Sequence, residues 1–138
     1  MALYVGKPTD LVAHGPVIAV KLWVPKQVVS TLVPIDTLAV IDTALATTCI
    51  QEGVATSLGL QPSGMVTITT ATTVMYKTHL FRIRVAFPEG NMSFEVQAAE
   101  VPYMLQPYAR LKCRIGRDIL QFGILNYDGP TNTFSLKF

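Results

Sequence analysis

The sequence predicts an all-β domain, built as a sheet that closes or folds over on itself and carries two brief helices. Three features of the chain point there. Short segments with apolar residues at every second position recur along it, most of them ended by Pro, Gly, Asp or Asn. Helical spacing occurs in only two places, each a few residues long. Half of the 138 residues are hydrophobic and 14% are charged, so one ordinary domain can bury a real core without metal or disulfide staples.

Residues 1–15 are mixed in character and form an N-terminal arm or an extra edge strand, ahead of a domain spanning 16–138. Pro16–Val24 alternates as a strand, and Pro25 closes it. Gln27–Val33 offers a second strand. Leu38–Ile41 is an apolar run ending at Asp42, whereas Asp36, beside Pro34, reads as a hairpin residue in water. Ile50, Val54, Ala55 and Leu58 have helical spacing, with Gly59 at the C-cap position and Pro62 beyond it, which predicts a short helix. Met65–Tyr76 alternates around a threonine-rich centre and predicts a hairpin with its tip at 70–73.

Farther on, His79–Phe87 is a strand with Leu80, Ile83, Val85 and Phe87 inward, 88–91 is a turn, and Met92–Val101 is the returning strand. The segment 101–109 (V-P-Y-M-L-Q-P-Y-A) is too apolar for a free linker and is expected to pack on the surface. Leu111–Ile115 is a strand, Gly116–Phe122 a short helix opened by glycine, and the end is a strand at 124–127, a turn at 128–130 and a strand at 133–138.

Composition narrows the function. The net charge is +2 and the Lys and Arg residues are scattered singly, which argues against a nucleic-acid partner. The longest uncharged span, Gly53–Tyr76, is broken by Gly59, Pro62 and Gly64, so no membrane helix is expected. Cys49 and Cys113 lack metal-ligand spacing and are expected as buried, reduced thiols. With no secretory signal visible, the expected location is the cytoplasm. A surface so short of charge suits burial in an oligomer. His14 and His79 have no partner at a useful spacing and read as solvated or structural.

The chemistry gathers at Ala39–Ile50, A-V-I-D-T-A-L-A-T-T-C-I, where an apolar strand ends on a carboxylate. Buried strands rarely end that way without a functional reason. The stretch resembles the active-site loop of retroviral-type aspartic peptidases, whose usual form is hydrophobic-Asp-Thr-Gly-Ala. Far downstream, Ile115-Gly116-Arg117-Asp118-Ile119-Leu120 resembles the hydrophobic-Gly-Arg-Asp motif of the same retropepsin-like family. The order of elements between them also agrees.

The resemblance implies a retropepsin-like single-lobe acid-protease barrel that works as a homodimer on a peptide or protein substrate, without cofactor or metal. Asp42 of each subunit would supply one of two carboxylates that share a proton and activate water. Thr43 would bond across the two-fold axis, and the final and N-terminal strands would form the dimer sheet. The 65–76 hairpin takes the place of the flap over bound peptide, which puts Thr70 and Thr72 at its tip. Lacking glycine there, it is either a stiffer flap or a structural hairpin.

Several residues depart from the family pattern. Ala44 replaces a glycine where substrate backbone passes, and its methyl group obstructs that approach and penalises any left-handed backbone. Leu45 adds bulk beside it. Arg114, opposite in facing to Ile115, either approaches Asp42, binds an acidic substrate group, or points along the cleft into solvent. An arginine paired with Asp42 would favour the ionised carboxylate and oppose proton sharing. Ala46 stands where relatives carry a carboxylate for the motif arginine, so Arg117 needs another partner, and Asp118 faces elsewhere on the helix. The leading expectation is an aspartic endopeptidase with Asp42 and Thr43 as its catalytic pair. The alternative is a catalytically impaired module for peptide binding or subunit assembly, and an unrelated small barrel is more distant.

Overall fold

The computed structural model describes residues 3–5, 11–69, 75–88, 92–102 and 111–138. Its strands are β1 (Leu3–Val5), β2 (Val17–Trp23), β3 (Ile35–Ile41), β4 (Cys49–Gln51), β5 (Gly64–Ile68), β6 (Tyr76–Phe87), β7 (Met92–Val101), β8 (Leu111–Ile115), β9 (Ile124–Asp128) and β10 (Thr133–Lys137). Single-turn helices α1 (Leu11–His14), α2 (Val54–Ser57) and α3 (Arg117–Leu120) separate some of them.

A seven-stranded sheet runs β2-β3-β8-β4-β7-β6-β5, and β2 also pairs with β6. That extra pairing closes the ring from β2 round to β6 into a barrel, with β5 left outside as the partner of β6 alone. The class is therefore all-β with a closed sheet, as the alternation predicts. Most pairings are antiparallel, but β3 runs parallel to β8, with Val40 opposite Arg114 and Ile41 opposite Ile115. A separate three-stranded sheet has the order β1-β10-β9. Among the described residues no helix is long and apolar enough to cross a membrane.

Alternation determines which side chains fill the barrel. Ile18, Val20 and Leu22 of β2, Ile83, Val85 and Phe87 of β6, and Cys113 and Ile115 of β8 all point into the main core, joined by Phe134 and Leu136. Each fully buried Val, Leu, Ile or Phe contributes about 1.5–3 kcal/mol to folding before entropy is charged. On the opposite face a second, smaller cluster joins Val40 of β3, Cys49 of β4, Ala99 and Val101 of β7 and Leu111 of β8, and Leu45, Val66, Ile68 and Leu80 pack against it. This second face is where the site lies.

Four local expectations are corrected. Gln27–Val33 is not a strand, because β3 and β6 already occupy both edges of β2. Without a sheet to join, the segment turns on Val28 N–H to Pro25 O and leaves Val29 98% exposed. Asp36 lies within β3 rather than in a turn, exposed and opposite Lys21, with a 3.6 Å ion pair of the kind water largely screens. Ile50 belongs to β4, opposite Cys113, and the helix starts only after Gly53, whose φ of 98° breaks the path. Leu80 faces the second cluster, and Phe81 takes the inward position. The tip at 70–73, with Thr70 and Thr72, most of the 88–91 turn and most of the 101–109 segment lie outside the described residues.

Candidate active site

Asp42 follows β3 directly, and its N–H still donates to Ile115 O at 2.9 Å, so the parallel pairing with β8 carries on to the carboxylate. Because strand side chains alternate, Asp42 emerges on the side of Val40, over the second cluster. Arg114 sits opposite Val40 and shares that face. The two side chains are diagonal neighbours, and Arg114 Nη1 lies 3.1 Å from Asp42 Oδ2. They are 19% and 22% exposed, less screened than a surface pair but open to the cleft. The other oxygen, Oδ1, accepts the Ala44 N–H at 3.0 Å, and Leu45 N–H donates to Asp42 O at 3.3 Å. Asp42 thus nucleates its own turn while presenting one oxygen to Arg114.

A clamp from the second motif holds this loop. Arg117 N–H donates to Leu45 O at 2.8 Å and Arg117 Nη1 donates to Thr43 O at 2.9 Å, so the motif arginine binds loop carbonyls in place of a carboxylate. Asp118 points the other way and accepts both the Thr48 N–H (2.9 Å, Oδ2) and the Thr48 hydroxyl (2.6 Å, Oδ1). The same hydroxyl accepts from Gly116 N–H at 3.1 Å. A Cβ on Gly116 would lie 2.9 Å from Thr47 C and 3.0 Å from Thr48 N, so the glycine is there for close approach of the loop. Sequence reasoning misses Thr48 and gives Asp118 only a direction away from Arg117. The sequence offers a Thr inside the loop and an Asp inside the motif, and nothing in it pairs the two.

The remaining candidates divide. Thr43 and Ala44 are exposed and Leu45 is half-buried against the second cluster. Among described residues Asn132 is the one non-glycine with positive φ, so Ala44 bears no left-handed strain. What remains of its predicted obstruction is the methyl group itself, at the surface of the loop.

Cys49 and Cys113 are buried and free. Burial pushes the Cys49 thiol up to about 11, with Arg114 pulling it down and Asp118 and Asp42 adding to the rise. Burial also raises Cys113, reinforced by Cys49 and Asp118. Thiolate is the reactive form, so neither should be alkylated by iodoacetamide at pH 8 until the protein unfolds. Because the folded value of Cys49 lies above its ordinary 9.0, its contribution to stability is whole below pH 9 and is lost as pH rises through about 11.

No family model matches the sequence, and no curated protein does. Among solved structures, the crystal structure of a retropepsin-like aspartic protease from Rickettsia conorii aligns over 99% of this chain and 91% of that one, with a TM-score of 0.58 and 14% identity. The fold is that of the retropepsin-like aspartic proteases. The solution structure of Simian Foamy Virus (mac) protease aligns over 75% of this chain and 92% of its own, with a TM-score of 0.46 and 12% identity. In this retropepsin-like barrel the Asp42 loop and the Gly116-Arg117-Asp118 turn, distant in sequence, form one hydrogen-bonded unit.

Proposed function

We propose that the chain is one subunit of a homodimeric aspartic endopeptidase in which Asp42 of each subunit provides one of two carboxylates. The observation that carries this reading is the placement of Asp42: a carboxylate at the end of a core strand, directed to an open face by a loop clamped from behind. The Rickettsia protein of the same fold is an aspartic protease by name. In the proposed reaction one carboxylate, ionised, takes a proton from water as the oxygen attacks the scissile carbonyl. Its protonated counterpart donates to that carbonyl oxygen, and collapse of the tetrahedral intermediate delivers a proton to the leaving amine. Thr43, exposed beside Asp42, is the proposed bridge between the two loops.

Assembly then calls for an edge, which of the two expected strands the N-terminal β1 offers and the final β10 does not. β10 lies between β1 and β9, so both of its edges are used within one chain. Among the described strands β1 and β9 are the outer ones of this sheet, and β9 exposes Ile124. An unpaired edge of that kind is the proposed dimer seam. Free buried thiols fit a reducing compartment, and the cytoplasm is the proposed location.

A second reading has its own observation. The 3.1 Å Arg114–Asp42 pair occupies a carboxylate oxygen that the peptidase reading needs for water, which favours a non-catalytic module that binds peptide or joins subunits. Incubating the protein with a diverse peptide pool at about pH 4 to 7 separates the two. The peptidase reading expects cleavage that Asp42→Asn lowers by about a thousandfold and that a statine-type transition-state mimic blocks. Absence of cleavage throughout, with an intact dimer, selects the binding module.

A further inference from the structure

We propose that Arg114 is a receptor for a substrate carboxylate, and that filling it releases Asp42 for catalysis. The release half rests on the reading of Asp42 as a catalytic carboxylate; the receptor half does not. Arg114 leaves β8 on the face of the second cluster, where Leu45, Val66, Ile68 and Leu80 make the surroundings apolar. Its guanidinium carries a fork of five N–H donors suited to gripping a carboxylate with two parallel bonds. Its contact with Asp42 is a single one, Nη1 to Oδ2. Asp42 Oδ1 is committed to the Ala44 N–H, so the loop geometry withholds the second half of the fork.

The resting pair therefore makes one bond where the guanidinium fork can make two. A peptide carboxylate entering the cleft, free to orient, can make both. Exchange conserves charge, since Arg114 trades one carboxylate for another, and no proton need move. Asp42 Oδ2 is then left free of its cation and open to water and to its counterpart. An uncharged peptide offers no such exchange and meets a closed pair. The substrate class that follows is a peptide with a carboxylate near the scissile bond, supplied by an Asp or Glu side chain or by the chain terminus, with apolar residues flanking it.

The test uses the full-length protein and fluorescein-labelled octapeptides carrying either Glu or Gln at one position, each with a free or an amidated C-terminus. Binding is read by fluorescence polarisation and cleavage by product formation. The Glu or free-terminus peptide is expected to bind about tenfold more tightly than its neutral twin. Asp42→Asn, which removes the competing carboxylate, widens that ratio, and Arg114→Met brings it to about one. In cleavage, Arg114→Met raises kcat for the neutral peptides towards that of the acidic ones, an effect that mere structural support would not produce. Selectivity that follows the internal residue assigns the site to a side chain; selectivity that follows the terminus assigns it to the chain end. Equal binding of the twins, or a ratio that survives Arg114→Met, overturns the receptor whatever the cleavage shows. Selective binding without any cleavage keeps the receptor and overturns the release together with the catalytic reading. Arg114→Lys, which keeps the charge and loses the fork, should retain only part of the selectivity, and thermal unfolding of each variant excludes misfolding as the cause.

Discussion

Gly116→Ala is expected to destabilise the protein by about 3 kcal/mol, an unusually large effect for a single methyl group. The backbone there has φ −95° and ψ −176°, which any residue adopts, so conformational freedom is not the issue. Space is. The added carbon would meet Thr47 C at 2.9 Å, Thr48 N at 3.0 Å and Leu45 O at 3.1 Å, all main-chain atoms that cannot swing aside like a side chain. Relief requires the Asp42 loop to back away from α3, which stretches the Arg117 N–H to Leu45 O bond and the Gly116 N–H to Thr48 Oγ1 bond. A lower denaturant midpoint at unchanged slope is the expected readout, and a midpoint within error of the parent would show that the loop is not packed as described.

Asp118→Ala is expected to be comparably severe, costing about 3 kcal/mol or more. Its carboxylate accepts from both the amide and the hydroxyl of Thr48, a residue with no solvent exposure. Truncation leaves two buried donors without their acceptor, and charge-assisted bonds are the stronger class. Thr48→Val keeps the amide bond to Asp118 but removes the hydroxyl that accepts from Gly116 N–H, so it should also destabilise the protein. Hydrogen exchange adds a local check: the Thr48 amide should exchange far faster in Asp118→Ala, and unchanged protection there would contradict the clamp.

Much of this fold was legible in the chain. Strands β2 and β6 follow from alternation, because each sets one face in the main core, and β7 and the β9–β10 hairpin follow from the turn residues before and between them. Two segments depart from local expectation for a cause that lies elsewhere in the molecule. Val28 and Val29 have strong β-propensity, yet β2 has no edge left to receive them. Ile50 fits a helical period, but its partners on β7 and β8 come from much later in the chain. Leu80 is a local case, since hydrophobicity alone points it inward while parity does not, and one residue separates the two faces of β6.

The site divides in the same way. Asp42, Thr43 and the Gly116-Arg117-Asp118 turn were visible as motifs, and Arg114 as a residue facing the cleft with three possible directions. What sequence could not supply was pairing. That Arg114 meets Asp42, that Arg117 holds Thr43 O, and that Asp118 grips Thr48 are all consequences of β3 and β8 running side by side in parallel register.

The central claim, that two Asp42 carboxylates from two subunits make one active site, has a direct measurement. Wild-type and Asp42→Asn chains are denatured together, refolded in varying proportions at constant total protein, and assayed for peptide cleavage. At equal proportions random pairing leaves about a quarter of the dimers with both carboxylates, so activity should fall to about a quarter of the all-wild-type value and follow the square of the wild-type fraction. Activity that instead falls in simple proportion, to about a half at equal mixing, would mean that each subunit works alone and would contradict the account.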